Sequence, residues 1–320
     1  MYYYTKNPLQ FPAFYKKLRF HLVPSGKLRY NTTNFFKSEA LFRMLLATLS
    51  AVSLVTALLI CFFCGSFTGL AWLWVLPVSF LGTLLLLAGL AFVFLLYLCS
   101  KVDQDVPQDG DDPLYRTAVN LYLESIIPCL RVHIKTVGME KVPQSGRFLL
   151  VCNHNNDSDP IVLLRIFHKY QLAFISKKEN KSMFVIGPMM HKIQCQLIDR
   201  ENDREALKTI LRCIQILKED KASVAVFPEG GILSEDEKLH PFRPGVFKIA
   251  QKAKVPIVVC TLRGTVPVMH NIKHFKPSHV EMRLVDVIPA EELAGVTTVD
   301  IAKRVHDIMA KDLGPERIAD

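Results

Sequence analysis

From Met44 to Ser100 the sequence contains no aspartate, glutamate, lysine or arginine, although 22% of the 320 residues are charged. A wholly soluble chain does not leave 57 consecutive residues without a charge, so this stretch marks a membrane segment. Acidic residues are also scarce before it. Residues 1–43 hold eight basic side chains (Lys6, Lys16, Lys17, Arg19, Lys27, Arg29, Lys37 and Arg43) against one acid, Glu39. They supply most of the formal net charge of +9. The remainder is nearly balanced, which excludes nucleic acid as the partner of a basic fold. The excess sits beside the apolar block instead, where each Lys or Arg near an anionic bilayer contributes about 1 kcal/mol. Anionic membrane lipids are the partners this placement predicts. No GxGxxG or Walker loop is present, which argues against nucleotide binding. Eight cysteines form no CxxC pair of pairs. Cys61 and Cys64 have CxxC spacing, but inside the apolar run and without a nearby histidine. The pattern predicts free, mostly buried thiols in a reducing compartment.

The apolar block divides into two runs, Met44–Cys64 and Leu70–Cys99, around Gly65-Ser66-Phe67-Thr68-Gly69. A crossing helix needs about 20 residues, so two fit, joined by a tight turn. The only two tryptophans, Trp72 and Trp74, open the second run at the depth of an aromatic belt, and Tyr97 stands near its far end. Pro77 is expected to kink or start the deeper part of that helix. Basic residues flank the first run and are absent from the turn. The positive-inside rule therefore predicts a two-pass protein with its N-terminus and globular part in the cytosol, a bacterial plasma membrane being the expected location. A cleaved signal peptide is not expected, because the run starts too late and is too long.

The predicted organisation is a basic segment 1–43, a hairpin 44–100, an acidic linker 101–113 and a globular domain 114–320. The linker, with five aspartates and two prolines, reads as solvated. Beyond it, strands are predicted at Arg131–Thr136, Phe148–Cys152, Ala173–Ser176, Gln194–Ile198, Ser223–Phe227, Ile257–Leu262 and Val280–Val287. Helices are predicted at Leu114–Ile127, Pro160–His168, Asp203–Lys218, Val246–Ala253 and Val299–Ala310. In the third helix Leu207, Ile210, Leu211, Ile214 and Leu217 predict one buried face. The alternation gives an α/β fold with helices on the faces of a sheet.

The stretch Asn153-His154-Asn155-Asn156-Asp157-Ser158-Asp159-Pro160 follows a hydrophobic strand and opens a helix, with Pro160 suited to the first turn and Asp159 to the cap. His154 and Asp159 would lie apart on a regular helix but can meet at a strand-to-helix turn. A carboxylate on one imidazole nitrogen leaves the other basic and oriented, able to take a proton from an alcohol. Read alone, the same residues could be a helix cap and a polar loop histidine. Phe227-Pro228-Glu229-Gly230-Gly231 ends another strand, where glycines allow backbone N–H groups to approach a phosphate. Arg200, after Leu197-Ile198-Asp199, is placed to fork onto phosphate. The plain alternatives are an ordinary turn and a surface ion pair. A zinc site on Cys152 and His154 lacks further local ligands. His240, His270, His274 and His279 show no compact ligand spacing.

Together, in this order, these blocks resemble the glycerolipid acyltransferase family over roughly residues 126–313. The resemblance implies a mixed sheet flanked by helices, with His154 as general base and Asp159 as its orienter. Lys177, in Lys177-Lys178-Glu179, is implied to contact phosphate or acyl donor. Arg200 is implied to bind the acceptor phosphate, and Glu229, Gly230 and Gly231 to form the acceptor site. Arg243, in Phe242-Arg243-Pro244-Gly245, matches a following basic element, and Val255-Pro256-Ile257-Val258 a buried strand near the acyl site. Two departures stand out. Where the family continues its third block with Thr-Arg-Ser, this chain has Gly231-Ile232-Leu233, so a basic residue is missing and Arg243 is the candidate replacement. Asn155-Asn156-Asp157 is polar where a bulky apolar residue is common.

The implied activity is acyl transfer from an acyl thioester, acyl-CoA or acyl-carrier protein, to a lysophospholipid acceptor, foremost 1-acylglycerol-3-phosphate. No cofactor or metal is implied beyond that co-substrate. Two other readings stand beside it: a remodelling enzyme or transacylase acting on another lysolipid, and a non-catalytic lipid-binding membrane protein.

Overall fold

The computed structural model describes residues 33–319 apart from Glu235. The basic side chains Lys6, Lys16, Lys17, Arg19, Lys27 and Arg29 lie outside the described residues. Two long helices come first, α1 (Thr33–Phe63) and α2 (Trp72–Ser100). Their spans Phe42–Phe63 and Trp72–Ser100 are long and apolar enough to cross a membrane. A single 3₁₀ turn, Ser66–Thr68, reverses the chain, and Gly65 takes a left-handed φ of 62° there. Pro77 lies in the second turn of α2, and the helix runs on through it.

The globular part is a seven-stranded mixed sheet between helices. Its strands are β1 (Val132–Val137), β2 (Leu149–Val151), β3 (Leu172–Lys177), β4 (Gln196–Ile198), β5 (Ser223–Val226), β6 (Ile257–Arg263) and β7 (Ser278–Ile288). The order across the sheet is β1-β7-β6-β2-β5-β3-β4. Only the β6–β7 pairing is antiparallel. The helices of this part are α3 (Pro113–Cys129), α4 (Asp159–Ile166), α5 (Ile186–Lys192), α6 (Asp203–Lys218), α7 (Lys248–Ala253), α8 (Val268–Lys273) and α9 (Thr298–Leu313).

Strand alternation divides the core between the two faces. Leu149, Val151, Val224, Val226, Ile257 and Val259 pack with α6, α7 and α9. Phe148, Leu150, Cys152, Ala225, Val258 and Cys260 pack with α3, α4 and α8. Helix starts follow local chemistry. Asp112 accepts from the N–H groups of Leu114 and Tyr115 with Pro113 at the first helical position, and Asn202 accepts from those of Arg204 and Glu205.

All seven predicted strands form, with shifted ends. Three other expectations are corrected. In α6, Leu207 and Leu211 are exposed, and the buried face is Thr209, Cys213, Ile214, Ile216 and Leu217. Apolar spacing alone did not fix the rotation of the helix, because Thr209 turns inward to bond Leu197 O at 2.7 Å. Helices α5 and α8 escaped the periodicity reading because each is one or two turns long, with proline in or just before the first turn. The acidic linker is a docked strap, not a solvated tether. Gly110 O accepts from Gln194 at 2.7 Å, and Asp111 is buried against Arg116.

Arg116 is the fastening point. Its guanidinium meets Asp111 at 2.7 Å and also donates to Leu172 O at 3.0 Å and Ile193 O at 3.1 Å. It thereby ties the strap and α3 to the start of β3 and the end of α5. Arg116→Ala would leave the buried Asp111 carboxylate with Gln171 Nε2, at 3.4 Å, in place of its guanidinium and would take a donor from two carbonyls, a loss of about 3–5 kcal/mol. The expected outcome is a large fall in unfolding midpoint of the detergent-solubilised protein. A midpoint within a degree or two of native would show that the strap does not depend on this residue.

Candidate active site

The centre of the sheet presents two adjacent loops at its carboxyl edge, after β2 and after β5. Asn153, the second residue past β2, continues that strand's pairing with its side chain. Its Oδ1 accepts from Leu262 N at 2.7 Å and its Nδ2 donates to Leu262 O at 2.9 Å. Asn155 adds a second donor to Leu262 O at 3.2 Å. The loop is thus pinned to β6 on both sides of His154.

Asp159 does not cap α4 as its position suggested. It is the first residue of that helix, and its carboxylate folds back over the preceding loop. One oxygen, Oδ2, accepts from Asn155 N at 2.6 Å and Asn156 N at 2.8 Å and lies 2.9 Å from His154 Nδ1. The carboxylate is fully buried. Three contacts on one oxygen aim the carboxylate, and an Nδ1–H donated to it leaves Nε2 as the nitrogen free to accept a proton. The imidazole face stacks on Phe227, ring centres 4.1 Å apart, and Phe227 stacks in turn on Phe174. His154 therefore has its ring plane, tautomer and backbone all fixed.

Glu229 supplies the backbone constraint. Its Oε1 accepts from His154 N at 2.8 Å and its Oε2 from His240 N at 3.0 Å. Both oxygens are engaged and the side chain is buried. It fastens the β2 loop to the β5 loop and to the segment at His240. Burial pushes this carboxyl up to about 7, with the nearby Asp159 charge adding to the rise and the two backbone donors opposing it.

The turn after Glu229 carries the cationic part. Arg243 lies against Gly230, where a Cβ would come 2.5 Å from its Nε. Arg200 lies against Gly231, where a Cβ would come 3.0 Å from Nη1. Gly230 also adopts φ +85°, which L side chains rarely take. Partial burial and the Arg243 charge lower the Arg200 guanidinium from its usual value. Neither arginine has a carboxylate within 4 Å among the described residues. Lys177, exposed at the end of β3, pairs in register with Ile198, two residues before Arg200. The structure thus gathers His154, Asp159, Glu229, Gly230, Gly231, Arg200 and Arg243, with Lys177 on the neighbouring strand end.

Sequence reasoning missed the roles of Asn153, Phe227 and His240. Asn153 and Phe227 stand inside the blocks that drew attention, but nothing in their spacing shows that one mimics a strand and the other stacks on the imidazole. His240 had no local signal. Its Nε2 lies 2.8 Å from Ser234 Oγ, which also bonds Asp236.

The Glu229 environment gives a signed pH dependence. An acid raised from 4.5 to about 7 retains a proton in the folded state that the unfolded chain has already released. Its stabilising contribution is complete below the unfolded value and is lost as pH rises through the folded one, on the order of 3 kcal/mol in total. Glu229→Gln stays neutral throughout. Its Tm should therefore decline less between pH 5 and 8 than that of the native protein. Parallel curves for the two proteins would contradict this.

Comparison with known proteins places this geometry. Residues 133–263 match the family described as Acyltransferase. A 1-acyl-sn-glycerol-3-phosphate acyltransferase of Bacillus subtilis (strain 168) is 33% identical over 139 residues, covering 43% of this chain and 67% of that protein. A probable 1-acyl-sn-glycerol-3-phosphate acyltransferase of Mycoplasma pneumoniae is 34% identical over 155 residues, covering 47% of this chain and 56% of that protein. The chain spans about half the length of the first of the curated relatives it matches. In fold it is similar to the crystal structure of the 1-acyl-sn-glycerophosphate (LPA) acyltransferase PlsC from Thermotoga maritima, with a TM-score of 0.54 at 20% identity, covering 70% of this chain and 87% of that one. A mixed sheet bearing the His154–Asp159 turn at its carboxyl edge, two apolar helices ahead of it, and these matched segments together show that this chain belongs to the glycerolipid acyltransferase family.

Proposed function

We propose that this protein transfers a fatty acyl group from an acyl thioester to the free hydroxyl of a lysophospholipid, with 1-acylglycerol-3-phosphate as the foremost acceptor and phosphatidic acid as product. One observation carries the reading. The buried Asp159 orients His154 through Nδ1, and the Glu229 that holds His154's backbone is followed directly by Gly230 and Gly231, against which lie Arg243 and Arg200, neither paired with a carboxylate among the described residues. A proton acceptor and a candidate phosphate site are thus joined through one short turn. The names of the relatives support the choice of acceptor.

In the proposed reaction His154 Nε2 takes the acceptor hydroxyl proton as that oxygen attacks the thioester carbonyl. The new C–O bond forms, the C–S bond breaks, and the departing thiolate takes the proton back from the imidazolium. The thioester is already activated, so no acyl-enzyme is required. The pair of arginines replaces the basic residue missing after Gly231 and gives the acceptor phosphate two forked donors. The apolar helices would keep this site at the cytosolic surface of the membrane, the turn Gly65–Gly69 facing the opposite side.

The dyad is tested by substitution. A positioned base contributes about 10²–10⁴-fold, so His154→Ala should lose that much in kcat while folding and membrane insertion persist. Asp159→Asn should fall comparably, because it favours the wrong imidazole tautomer. Near-native turnover without His154, measured with radiolabelled thioester, would end this mechanism.

The phosphate site is tested separately. Arg200→Lys keeps the charge and loses the fork, at about 1.5–3 kcal/mol, or roughly a tenfold to hundredfold drop in kcat/KM. The loss should appear as a raised KM for the lysophospholipid, with KM for the donor unchanged. A monoacylglycerol acceptor, lacking phosphate, should be poor and insensitive to the substitution. A raised donor KM instead would assign Arg200 to the thioester.

A further inference from the structure

The chain that follows Glu229 leaves the site and returns to it. Glu229 opens this loop, and its Oε2 accepts from His240 N at 3.0 Å where the loop closes. Past the closure, Arg243 N donates to Pro228 O at 2.8 Å, so residues 240–243 run back beside the turn they came from. Arg243 reaches Gly230 in this way. The end of the loop is fastened from outside as well. Leu239 N donates to Arg317 O at 2.7 Å, and Glu237 pairs with Arg317. The His240 backbone is therefore held next to Glu229, three residues before Arg243, in a closed and anchored frame.

The His240 ring takes no part in the His154 assembly. Its Nε2 lies 2.8 Å from Ser234 Oγ, and Ser234 in turn bonds Asp236. A proton count fixes the tautomer. A carboxylate can only accept, and the Ser234 bond holds the Asp236 carboxyl below its usual value. The single hydroxyl proton of Ser234 therefore goes to Asp236. Ser234 Oγ is left as an acceptor toward His240, so Nε2 carries a hydrogen and donates it. Ser234 is a relay here and not a nucleophile, because its proton faces a carboxylate instead of an imidazole lone pair. The other ring nitrogen, Nδ1, has no hydrogen-bond partner among the described residues. The two histidines are opposites. His154 gives Nδ1–H to Asp159 and keeps Nε2 open, whereas His240 gives Nε2–H to Ser234 and keeps Nδ1 open.

We propose that His240 Nδ1 shares a proton with the acceptor phosphate and so selects phosphomonoesters over phosphodiesters. The proposal rests on the reading of Arg200 and Arg243 as the phosphate donors. A phosphomonoester has a second ionisation at about pH 6, so neutral solution removes its last proton only in part. Beside an imidazole whose Nε2–H is committed to Ser234, that proton lies between Nδ1 and a phosphate oxygen. The result is a charge-assisted hydrogen bond added to those of the two guanidiniums. A phosphodiester has one charge and no such proton. Its oxygen would face the Nδ1 lone pair unless the ring took a proton from water, which is unfavourable above the ordinary imidazole value of about 6.5. The relay closes the remaining escape. With the hydrogen kept on Nε2, the neutral ring has no tautomer that offers Nδ1–H to a diester.

Steady-state kinetics of the full chain in detergent, with one thioester donor and two acceptors, test this. The acceptors share an acyl chain: 1-acylglycerol-3-phosphate, a monoester, and 1-acylglycerol-3-phosphoglycerol, a diester. His240→Phe keeps a flat ring and removes both nitrogens. The ratio of kcat/KM for monoester over diester should fall at least about tenfold, through a raised KM for the monoester. Ser234→Ala frees Nε2 and lets the ring exchange tautomers, so the ratio should fall from the other side, through a lowered KM for the diester. Arg200→Lys should raise both KM values together, because both acceptors carry phosphate. If His240→Phe lowers both acceptors in proportion, its role is only to hold Glu229, and the proposal is overturned while the phosphate site stands. If Arg200→Lys moves neither KM, the phosphate reading itself fails and this selection fails with it. Should His240→Phe not fold, as its unfolding midpoint would show, an unchanged ratio in Ser234→Ala overturns the proposal by itself.

Discussion

A single carboxylate oxygen organises the centre of this protein. Asp159 Oδ2 holds two backbone amides and the His154 ring together in a fully buried position. The loop it closes has no regular hydrogen bonding of its own, and without that oxygen the buried Asn155 N–H and the half-buried Asn156 N–H would lose their partner. The sheet brings Asp159 to this place. β2 lies in the middle, and Asn153 and Asn155 clamp its exit loop to β6, so the first turn of α4 must start directly above the strand end. Fold and site are therefore one construction, with the aspartate as its keystone.

The next layer outward repeats the logic with a different carboxyl. Glu229 spans two loops by their amides, and it sits where ionisation is unfavourable. Asp159 is held by three donors and Glu229 by two, in adjacent sites whose charges oppose one another. The larger set belongs to the group that orients the imidazole. The glycines that follow Glu229 then keep the backbone bare beneath two arginines, so both guanidiniums lie against the turn whose carboxyl holds the His154 backbone.

Much of this was legible in the sequence. Apolar runs marked the buried strands β2, β3, β5 and β6, because strands covered on both faces are continuously hydrophobic. The uncharged stretch gave the two long helices. The His154 and Asp159 spacing, useless on a helix, pointed to a turn, and the turn is there. What escaped reading has physical causes. Short helices with proline in or before the first turn carry no period. The rotation of α6 was set by a threonine finding a carbonyl, which apolar spacing cannot register. The strap looked solvated because its acids were counted as charges, when Asp111 is buried by an arginine five residues on. The work of Asn153 and Phe227 depends on partners 109 and 73 residues away, or on stacking, and no local pattern encodes either.

That separation in sequence has a consequence for biogenesis. The strands beside β2 are β5 and β6, so the turn bearing His154 has no walls until Leu262 has been made. Leu239 is further paired with Arg317 and Ala319 near the other end of the described chain. Synthesis from the N-terminus would release the apolar helices more than 150 residues before Leu262 emerges. Non-local parallel pairing of this kind forms slowly and late. A nascent chain would thus expose its two apolar helices while still chemically silent, and would acquire its reactive centre only after they had left the ribosome.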